Sequence, residues 1–414
     1  MCRAPGTGHC HGHPSCGAPA RAAAPDPLPR LDEQSVAEAL QLLKAGSGSH
    51  SPSVAEVERA IPGLVQVDAC FLSNPYATDE VMRRLRSIAP AALERMVSHY
   101  PSQGGAIAAT LAPSLGVPSD QLVVANGACE VIRALLARAP GPLLLSLPTF
   151  SAYYEFASGP VVPHQLDPEQ DFRLDLDELE AMVERHEPDT VVIISPNNPD
   201  GGLVPEATLI DFLRRIQGRV RQVIVDESFS HFSTLGALPT LAPLVAELPH
   251  LVVVNSLSKS HGIAGLRLGY AVMSPLRARQ IRGSSLWNLN AFAEWFCGLL
   301  ADPGYRRAYE GARRRYVRET RRLFAELADL PGVRAFPSAA NFALLELDRP
   351  ASEVAASLLA RQGVYVRDCG DKWGLDGDRF LRVAARSASE NRRIVAALSE
   401  VLAALARKPL AAAA

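Results

Sequence analysis

A single lysine, Lys259, stands among small residues shortly after an apolar run, Leu251 to Val254. Such a run is typical of a buried strand in a parallel sheet. An amine at the end of a buried strand is shielded from water, which lowers its pKa and makes it a nucleophile suited to Schiff-base chemistry. Ser256, Ser258 and Arg267 lie nearby in the sequence. Their hydroxyl and guanidinium donors are suited to binding a phosphate.

A second anion site is predicted where the apolar run Leu122 to Ala125 turns into a helix. Gly127 permits a tight turn there. The backbone amides of Ala128 and Cys129 then lie at the N-terminus of the helix, where unpaired N–H groups bind anions. Cys129 could also be considered as a nucleophile, but the sequence offers no identifiable base for it. We therefore expect Cys129 to act through its backbone.

Polar or aromatic side chains follow three further apolar runs. Asp226 comes after three β-branched residues, and a carboxylate at the end of a buried strand is costly without a cationic partner. Asn198 follows the run Val191 to Ile194 in the segment Ser-Pro-Asn-Asn-Pro-Asp-Gly, where prolines restrict the backbone on either side. Phe150 follows the run Leu143 to Leu147 and offers a flat apolar face for stacking.

The repetition of strand, turn and helix predicts an α/β fold that positions these groups. We expect a mostly parallel central sheet flanked by helices, with ligand groups at the carboxyl ends of its strands, and a smaller α/β C-terminal domain. The predicted division is a variable tail with a short helix (1–50), a large domain (51–300), a small domain (301–408) and a frayed end (409–414). An Arg-rich periodic stretch, 303–329, predicts a long helix that joins the two domains.

The composition excludes several classes of protein. A net charge of −2 provides no surplus of basic residues for a nucleic acid partner. No apolar run approaches the roughly 18 residues of a membrane span, and the N-terminus has no apolar signal segment. Seven scattered cysteines indicate reduced thiols in a cytoplasmic protein. The tail before residue 30 contains Cys and His, but its spacing matches no standard zinc finger, so we predict no metal site.

The segments around Gly127, Asn198, Asp226 and Lys259, taken in this order, resemble the class I/II aminotransferases of the fold-type I pyridoxal-phosphate (PLP) enzymes. The resemblance is to the histidinol-phosphate aminotransferase-like branch, and it also extends to threonine-phosphate decarboxylases. It covers roughly residues 53–407. The resemblance implies that the cofactor is pyridoxal 5′-phosphate.

The resemblance also implies a role for each cofactor-binding residue. Lys259 would hold PLP covalently, Asp226 would pair with its ring nitrogen, and Asn198 would donate to its phenolic oxygen. Phe150 would lie against the ring. The phosphate would be bound by the backbone or side chains of Gly127, Ala128, Cys129, Ser256, Ser258 and Arg267. Tyr100, which precedes a proline, would reach the cofactor phosphate of the neighbouring subunit, which implies a homodimer with shared active sites.

Four residues would bind the substrate according to the same resemblance. Arg382 matches the arginine that clamps the α-carboxylate of the substrate. Arg367 matches a position that helps to bind the distal phosphate in the histidinol-phosphate branch. Tyr76 lies in an Asn-Pro-Tyr segment at the mouth of the site, and Arg386 belongs to a stretch that is similar also to threonine-phosphate decarboxylases.

Phe229 departs from many members of the family, which have a tyrosine there that donates to the phenolic oxygen of PLP. Some threonine-phosphate decarboxylases share the phenylalanine. The missing hydroxyl removes roughly 0.5–1.5 kcal/mol of net hydrogen bonding. We therefore expect the linkage between Lys259 and PLP to have a higher pKa than in tyrosine-bearing relatives.

The main functional prediction is an aminotransferase that uses an amino donor and a 2-oxo acid acceptor, with an acidic or phosphorylated side chain on the substrate suggested by Arg367. The alternative is a PLP-dependent decarboxylase that resembles threonine-phosphate decarboxylase, because the same residues can serve either reaction. A third hypothesis is a non-catalytic PLP-binding regulator. Residues 1–50 disfavour it, since they show neither a helix-turn-helix pattern nor a basic patch.

Overall fold

The computed structural model describes residues 32–47 and 50–407. The Cys- and His-rich tail before residue 30 and the predicted frayed end, 409–414, lie outside the described residues. Within the two described ranges, no cluster of His, Cys, Asp and Glu is arranged to hold a metal ion. No helix in this part of the chain combines the length and the apolar character needed to cross a bilayer.

The strands form two main sheets and a short parallel pair. In chain order they are β1 (Val67–Asp68), β2 (Leu122–Ala125), β3 (Leu143–Leu147), β4 (Val161–Gln165), β5 (Thr190–Ile194), β6 (Gln222–Asp226), β7 (Leu251–Ser256), β8 (Gly269–Val272), β9 (Val333–Ala335), β10 (Phe342–Leu347), β11 (Val364–Tyr365), β12 (Arg367–Asp368) and β13 (Phe380–Ala384).

The central sheet has seven strands in the order β2-β8-β7-β6-β5-β3-β4. Strand β8 is antiparallel to both of its neighbours, and the other strand pairs are parallel. Strands β3, β5, β6 and β7 are buried along their whole length, which explains their nearly continuous apolar sequences. The predicted mostly parallel sheet is therefore confirmed. Its parallel strands bring their carboxyl ends to one edge.

The second sheet belongs to the C-terminal part of the chain and is antiparallel, in the order β12-β13-β10-β9. Beside it, β1 from the beginning of the chain pairs in parallel with β11. The predicted smaller α/β unit is thus present. A segment near residue 67 joins it, because Val67 pairs with Val364.

The helices cover both faces of the central sheet and flank the C-terminal sheet. They are α1 (Glu33–Gly46), α2 (Val54–Ala60), α3 (Pro75–Arg86), α4 (Pro90–Ser98), α5 (Gly104–Leu115), α6 (Ala128–Leu136), α7 (Ala152–Glu155), α8 (Leu176–His186), α9 (Glu206–Arg215), α10 (Leu257–Ser260), α11 (Pro275–Arg282), α12 (Ala291–Leu299), α13 (Pro303–Ala328), α14 (Ala351–Gln362) and α15 (Ala388–Ala406).

The helix starts follow from local sequence. Helix α13, the predicted long Arg-rich helix, is confirmed, and it begins at a proline after Asp302, whose carboxylate accepts from the amide of Gly304 at 2.7 Å. Helix α15 begins with a reciprocal capping box between Ser387 and Glu390. The capping groups satisfy backbone amides that a helix leaves unpaired.

The sequence also predicts a turn at Asn74-Pro75-Tyr76 and a loop around Lys259, and both predictions are wrong. Asn74-Pro75-Tyr76 is not a separate turn before a helix but the start of α3, because the Asn74 side chain accepts from the amides of Tyr76 and Ala77 and proline suits the first helical position. Lys259 does not lie on a loop but on the short helix α10. Arg267 lies before β8 and not inside it, since its φ of +56° is a left-handed conformation that a strand does not contain.

One buried arginine attaches α13 to the segment that follows β6. The Arg313 side chain is fully buried, and its guanidinium donates to the backbone oxygens of His231 at 3.0 Å, Thr234 at 2.6 Å and Gly236 at 2.9 Å. It also forms an ion pair with Glu310 at 2.8 Å. Only a planar fork of donors can satisfy several carbonyls at once.

We expect Arg313→Met to lower the free energy of unfolding by about 3–5 kcal/mol, because it leaves buried carbonyls without their donor and removes one of the two arginines that pair with Glu310. Urea denaturation measures the change. Arg314→Met is the matched control, since Arg314 pairs with the same Glu310 but is mostly exposed, and its replacement should cost less than about 0.5 kcal/mol. Equal effects of the two changes would contradict the assignment.

Candidate active site

The predicted chemical groups follow the carboxyl ends of neighbouring strands in the central sheet. Asp226 ends β6, and its neighbours across the sheet are Ile194 at the end of β5 and Val254 in β7. Lys259 is the third residue after the end of β7. Gly127 follows β2, which runs in the same direction as β7 because β8 between them is antiparallel to both. The sheet therefore collects these groups at one edge, as open α/β sheets do for their ligands.

The Lys259 side chain is half-buried at this edge. Its Nζ lies 5.2 Å from the centre of the Phe229 ring, and its backbone oxygen accepts from the amide of Asn74 at 3.0 Å. Burial lowers the pKa of Lys259, and the charge of Asp226 partly opposes this effect. An amine with a lowered pKa is neutral more often and is a better nucleophile.

The carboxylate of Asp226 is buried and is held by two donors. Tyr153 donates its hydroxyl to Oδ2 at 2.9 Å, and the amide of Ser228 donates to Oδ1 at 2.9 Å. Among the described residues, no cationic side chain forms an ion pair with Asp226 within 4 Å. A buried carboxylate without a countercharge fits the protonated ring nitrogen of PLP.

The turn before α6 leaves room for a phosphate. Gly127 has a φ of +85°, and a Cβ at this position would lie 2.6 Å from a guanidinium nitrogen of Arg267. The hydroxyl of Ser258 is buried and has no hydrogen-bond partner in the described structure, while Ser256 is buried at the end of β7. A guanidinium, an unpartnered hydroxyl and the N-terminal amides of a helix together suit the PLP phosphate.

Two further predicted cofactor contacts also adjoin this turn. Ala128 is buried at the start of α6, directly beside Gly127. Cys129 is close enough to Lys259, Arg267 and Asp226 for their charges to act on its thiol, yet burial raises its pKa. A thiol that stays protonated is a poor nucleophile, which agrees with the expectation that Cys129 contributes its backbone.

Arg382, which is predicted to bind the α-carboxylate of the substrate, contacts Asn198, which is predicted to bind the phenolic oxygen of PLP. Arg382 donates to the side-chain oxygen of Asn198 at 2.7 Å and to the backbone oxygen of Cys70 at 3.0 Å. The Nε of Arg382 is buried without a partner in the described part of the chain. Because β13 carries Arg382 and the loop after β5 carries Asn198, this contact brings the C-terminal sheet against the edge of the central sheet.

The other predicted substrate residues occupy three different environments. Arg367 is buried and donates from Nη2 to both carboxylate oxygens of Asp371 at 2.8 Å. Arg386 donates to the backbone oxygen of Ser73 at 3.3 Å, and its Nε lies 3.8 Å from the carboxylate of Glu390. The hydroxyl of Tyr76 accepts from the amide of Ala388 at 2.9 Å, so it joins the start of α15 to α3.

The two remaining aromatic residues lie in different places. Phe150 follows β3 beside Tyr153, with 6.4 Å between ring centres, and His50 approaches its ring to 5.9 Å. Tyr100 lies on the surface with 86% of its area exposed, and its ring lies 5.2 Å from that of Trp287. Its predicted contact is with a second subunit, so exposure in a single chain is compatible with that prediction.

Sequence reasoning missed two groups that hold Asp226: the Tyr153 hydroxyl and the Ser228 amide. The sequence offered one signal for Tyr153. It stands three residues after Phe150, next to a short helical segment, so both side chains can face the same site. Residues at that spacing on a helical turn face the same side. The backbone amide of Ser228 carries no sequence signal of its own.

Comparison with known proteins gives the family and close relatives. Residues 69–398 match the model of aminotransferase class I and II. The chain is 36% identical to an L-serine phosphate decarboxylase of Campylobacter jejuni, over 89% of this chain and 97% of the relative. It is 37% identical to an L-serine phosphate decarboxylase of Sulfurospirillum multivorans, over 88% and 96%. A solved structure of a decarboxylase from S. multivorans superposes with a TM-score of 0.84, at 36% identity, over 89% of this chain and 97% of the other.

More distant relatives include a histidinol-phosphate aminotransferase of Thermoanaerobacter, 29% identical over 83% of this chain and 94% of that protein. The predicted relationship to both groups is therefore confirmed. The prediction of an aminotransferase as the enzyme is wrong, because the relatives at 36–37% identity are decarboxylases. The predicted 2-oxo acid acceptor is also wrong, since decarboxylation needs no acceptor of an amino group. The alternative prediction, a PLP-dependent decarboxylase, is the one supported.

The fold, the residues at the strand ends and the family match all indicate a PLP-dependent enzyme. The buried Asp226 carboxylate, the half-buried Lys259 amine and the Gly127 turn fit PLP, on which this family depends. The chain belongs to the aminotransferase class I and II family, within the fold-type I PLP-dependent enzymes.

Proposed function

We propose that this protein is a PLP-dependent decarboxylase that acts on L-serine phosphate or a closely similar phosphorylated amino acid. The observation that carries the proposal is its 36–37% identity to two L-serine phosphate decarboxylases over nearly their whole length. Two buried arginines, Arg382 and Arg367, support it. A substrate with a carboxylate and a phosphate needs two such cationic groups.

Lys259 and Asp226 have separate tasks in this reaction. When bound, PLP accepts the electron pair that remains when the bond between Cα and the carboxyl carbon breaks. Lys259 Nζ holds the cofactor before the substrate arrives and then delivers a proton to Cα after CO₂ has left. Asp226, oriented by Tyr153 and the Ser228 amide, keeps a proton on the ring nitrogen.

Arg382 positions the group that leaves. Its contacts with Asn198 and the backbone of Cys70 fix the guanidinium plane, and the unpartnered Nε remains available to a carboxylate. Arg367 is held by Asp371 further along the C-terminal sheet and would bind the distal phosphate. The product would then be a phosphorylated amine, and the reaction would need no second substrate.

We also propose that the enzyme is a cytoplasmic homodimer in which Tyr100 reaches the partner's cofactor phosphate. Support comes from a patch of exposed apolar side chains, here called the Tyr100 patch and formed by Val97, Tyr100, Leu286 and Trp287. These side chains are 56–86% exposed in the single chain. Burying them in a dimer would remove apolar surface from water.

The holoenzyme should release CO₂ from O-phospho-L-serine without forming pyridoxamine phosphate. Lys259→Ala should lower kcat by at least about 10²–10⁴-fold, the usual contribution of a positioned proton donor. Lys259→Arg keeps the charge but cannot form the covalent linkage, so it should be equally impaired. Mass spectrometry of the cofactor and a CO₂ assay distinguish the outcomes. Accumulation of pyridoxamine phosphate without CO₂ would refute decarboxylation.

Phe229→Tyr should lower the pKa of the chromophore of the holoenzyme by about 0.5–1 pH unit, because a hydroxyl near Lys259 can stabilise the ionised phenolic oxygen of PLP. An absorbance titration against pH measures the shift. Phe232→Tyr is the control, since Phe232 is also buried but packs on Tyr316, with 5.6 Å between ring centres. It should leave the titration unchanged. The same pKa in wild type and Phe229→Tyr would refute the idea.

Leu286→Asp should shift the enzyme towards monomers and lower its activity in parallel, because it puts a charge into the Tyr100 patch. Light scattering after size-exclusion chromatography measures the mass. Leu42→Asp is the matched control, since Leu42 on α1 is equally exposed, at 76%, but lies outside the patch. A Leu286→Asp variant that remains dimeric would show that the patch is not the interface.

A further inference from the structure

Lys372, which has no part in the reaction proposed above, is buried near the arginines of the C-terminal sheet. Lys372 lies in the turn that follows β12 and is 7% exposed. Within residues 32–47 and 50–407, no carboxylate lies within ion-pair distance of its Nζ and no group accepts a hydrogen bond from it. A buried ammonium group without a partner is costly, and such groups are commonly found where an anion binds.

The turn that carries Lys372 is fixed to both parts of the molecule. On the C-terminal side, the Lys372 amide donates to the oxygen of Cys369 at 2.9 Å. On the other side, a Cβ at Gly374 would lie 2.7 Å from the side chain of Leu147 at the end of β3, so the turn touches the central sheet directly. The oxygen of Gly374 also accepts from Gln165 at 2.9 Å. Lys372 is therefore held at the boundary between the sheets.

This boundary is also next to the cofactor site. Trp373 packs edge-on against Tyr154, with 5.4 Å between ring centres, and Tyr154 belongs to the short helix α7 that follows Phe150. Phe150 is the residue predicted to lie against the PLP ring. The turn therefore places Lys372 between the arginines of the C-terminal sheet and the aromatic side of the cofactor site.

The charges around Lys372 are predominantly positive. Burial and, after it, the charges of Arg367 and Arg382 lower the pKa of Lys372 to about 8, so both arginines are close enough to interact with it. The nearby carboxylate of Asp371 is already engaged by Arg367 and lies 3.5 Å from Lys44. Cys369 adds no negative charge, because burial raises the pKa of its thiol.

Arg382, Arg367 and Lys372 are buried, Asp371 pairs with Arg367, and the charge of Asp68 acts on Arg382. A substrate with two anionic groups suits this cluster of cations. A substrate α-carboxylate satisfies one of them, and Arg382 is already oriented for it by Asn198. The remaining pair, Arg367 and Lys372, matches a dianion. A phosphate monoester carries close to two negative charges near neutral pH and offers three acceptor oxygens. A side-chain carboxylate carries only one charge.

We propose that Lys372 is a specificity-determining residue that binds the substrate phosphate together with Arg367 and so selects phosphorylated over unphosphorylated amino acids. The proposal rests on the proposed decarboxylase function for the identity of its substrate. The fork of Arg367 orients the phosphate, and the ammonium group of Lys372 supplies the second charge without a fixed direction.

The first test compares Lys372→Met and Lys372→Arg with wild-type holoenzyme in the decarboxylation of O-phospho-L-serine. Lys372→Met should raise KM by about 10- to 100-fold, as expected for the loss of one charge-assisted hydrogen bond, with kcat changed less than about threefold. Lys372→Arg should restore most of the loss. Lys44→Met is the matched control, because Lys44 is an ion-paired lysine near the same carboxylates, and its KM should stay within about threefold.

The second test measures binding without turnover. Calorimetric titration of the holoenzymes with phosphoethanolamine and with ethanolamine should show weaker binding of the phosphate ester to Lys372→Met, with unchanged binding of ethanolamine. Lys372→Gln and thermal melting distinguish a binding defect from poor folding. A third arm with L-aspartate tests a side-chain carboxylate as the ligand.

The outcomes separate this proposal from the proposed function. If wild type decarboxylates O-phospho-L-serine and Lys372→Met matches it in KM and in phosphoethanolamine affinity, the role of Lys372 is refuted and the decarboxylase function stands. If wild type releases no CO₂ but Lys372→Met still loses phosphoethanolamine affinity selectively, the function fails and the phosphate site stands. A variant impaired with L-aspartate rather than with phosphate esters would also refute the proposal.

Discussion

The buried carboxylate of Asp226 imposes the condition that the rest of the site must meet. A charge that ends a strand inside the protein is stable only if donors and a countercharge surround it. Tyr153 and the Ser228 amide supply the donors, and the described residues supply no ion-pair partner. The ring nitrogen of PLP is suited to fill that role. Binding of the cofactor would therefore stabilise the buried Asp226 carboxylate by placing a cation beside it.

The neighbouring strands bring the predicted PLP-binding residues together. Because β5, β6 and β7 are parallel and in register, Asn198, Asp226 and Lys259 follow their ends side by side. The Gly127 turn and Arg267 meet at the predicted phosphate site, where a side chain on the glycine would collide with the guanidinium. Each group is small, buried or conformationally restricted. The site is therefore preorganised by the sheet and by few loop residues.

In the proposed function, the C-terminal sheet contributes the groups that distinguish one substrate from another. Arg382 connects that sheet to Asn198, and Arg367 and Lys372 lie in the segment around β12. These cations are buried close to one another, and a doubly anionic substrate would suit the positive charge that they provide. The selection of a phosphorylated amino acid would then be a property of charge balance at the boundary between the two sheets.

The local sequence determined the strands, their buried character and the positions of the reactive residues after them. Apolar runs of β-branched residues become parallel strands, and a lysine, an aspartate and a glycine that follow such runs must appear at the same sheet edge. Helix α13 and the C-terminal α/β unit were likewise predictable from periodicity. The start of α3 was not, because the Asn74 cap and a turn at proline look alike in sequence.

The choice between the two reactions could not be read from the residues, because an aminotransferase and a decarboxylase can use the same lysine, carboxylate and arginines. Only the relatives separated the two. Sequence alone predicted Asp226, Lys259 and Arg382 because each stands in a recognisable segment. Only the tertiary structure showed Tyr153 on Asp226, and Lys372 beside Arg367 and Arg382. Contacts of this kind join separate strands and turns, and their distances depend on how the two sheets pack, which no local pattern of residues encodes.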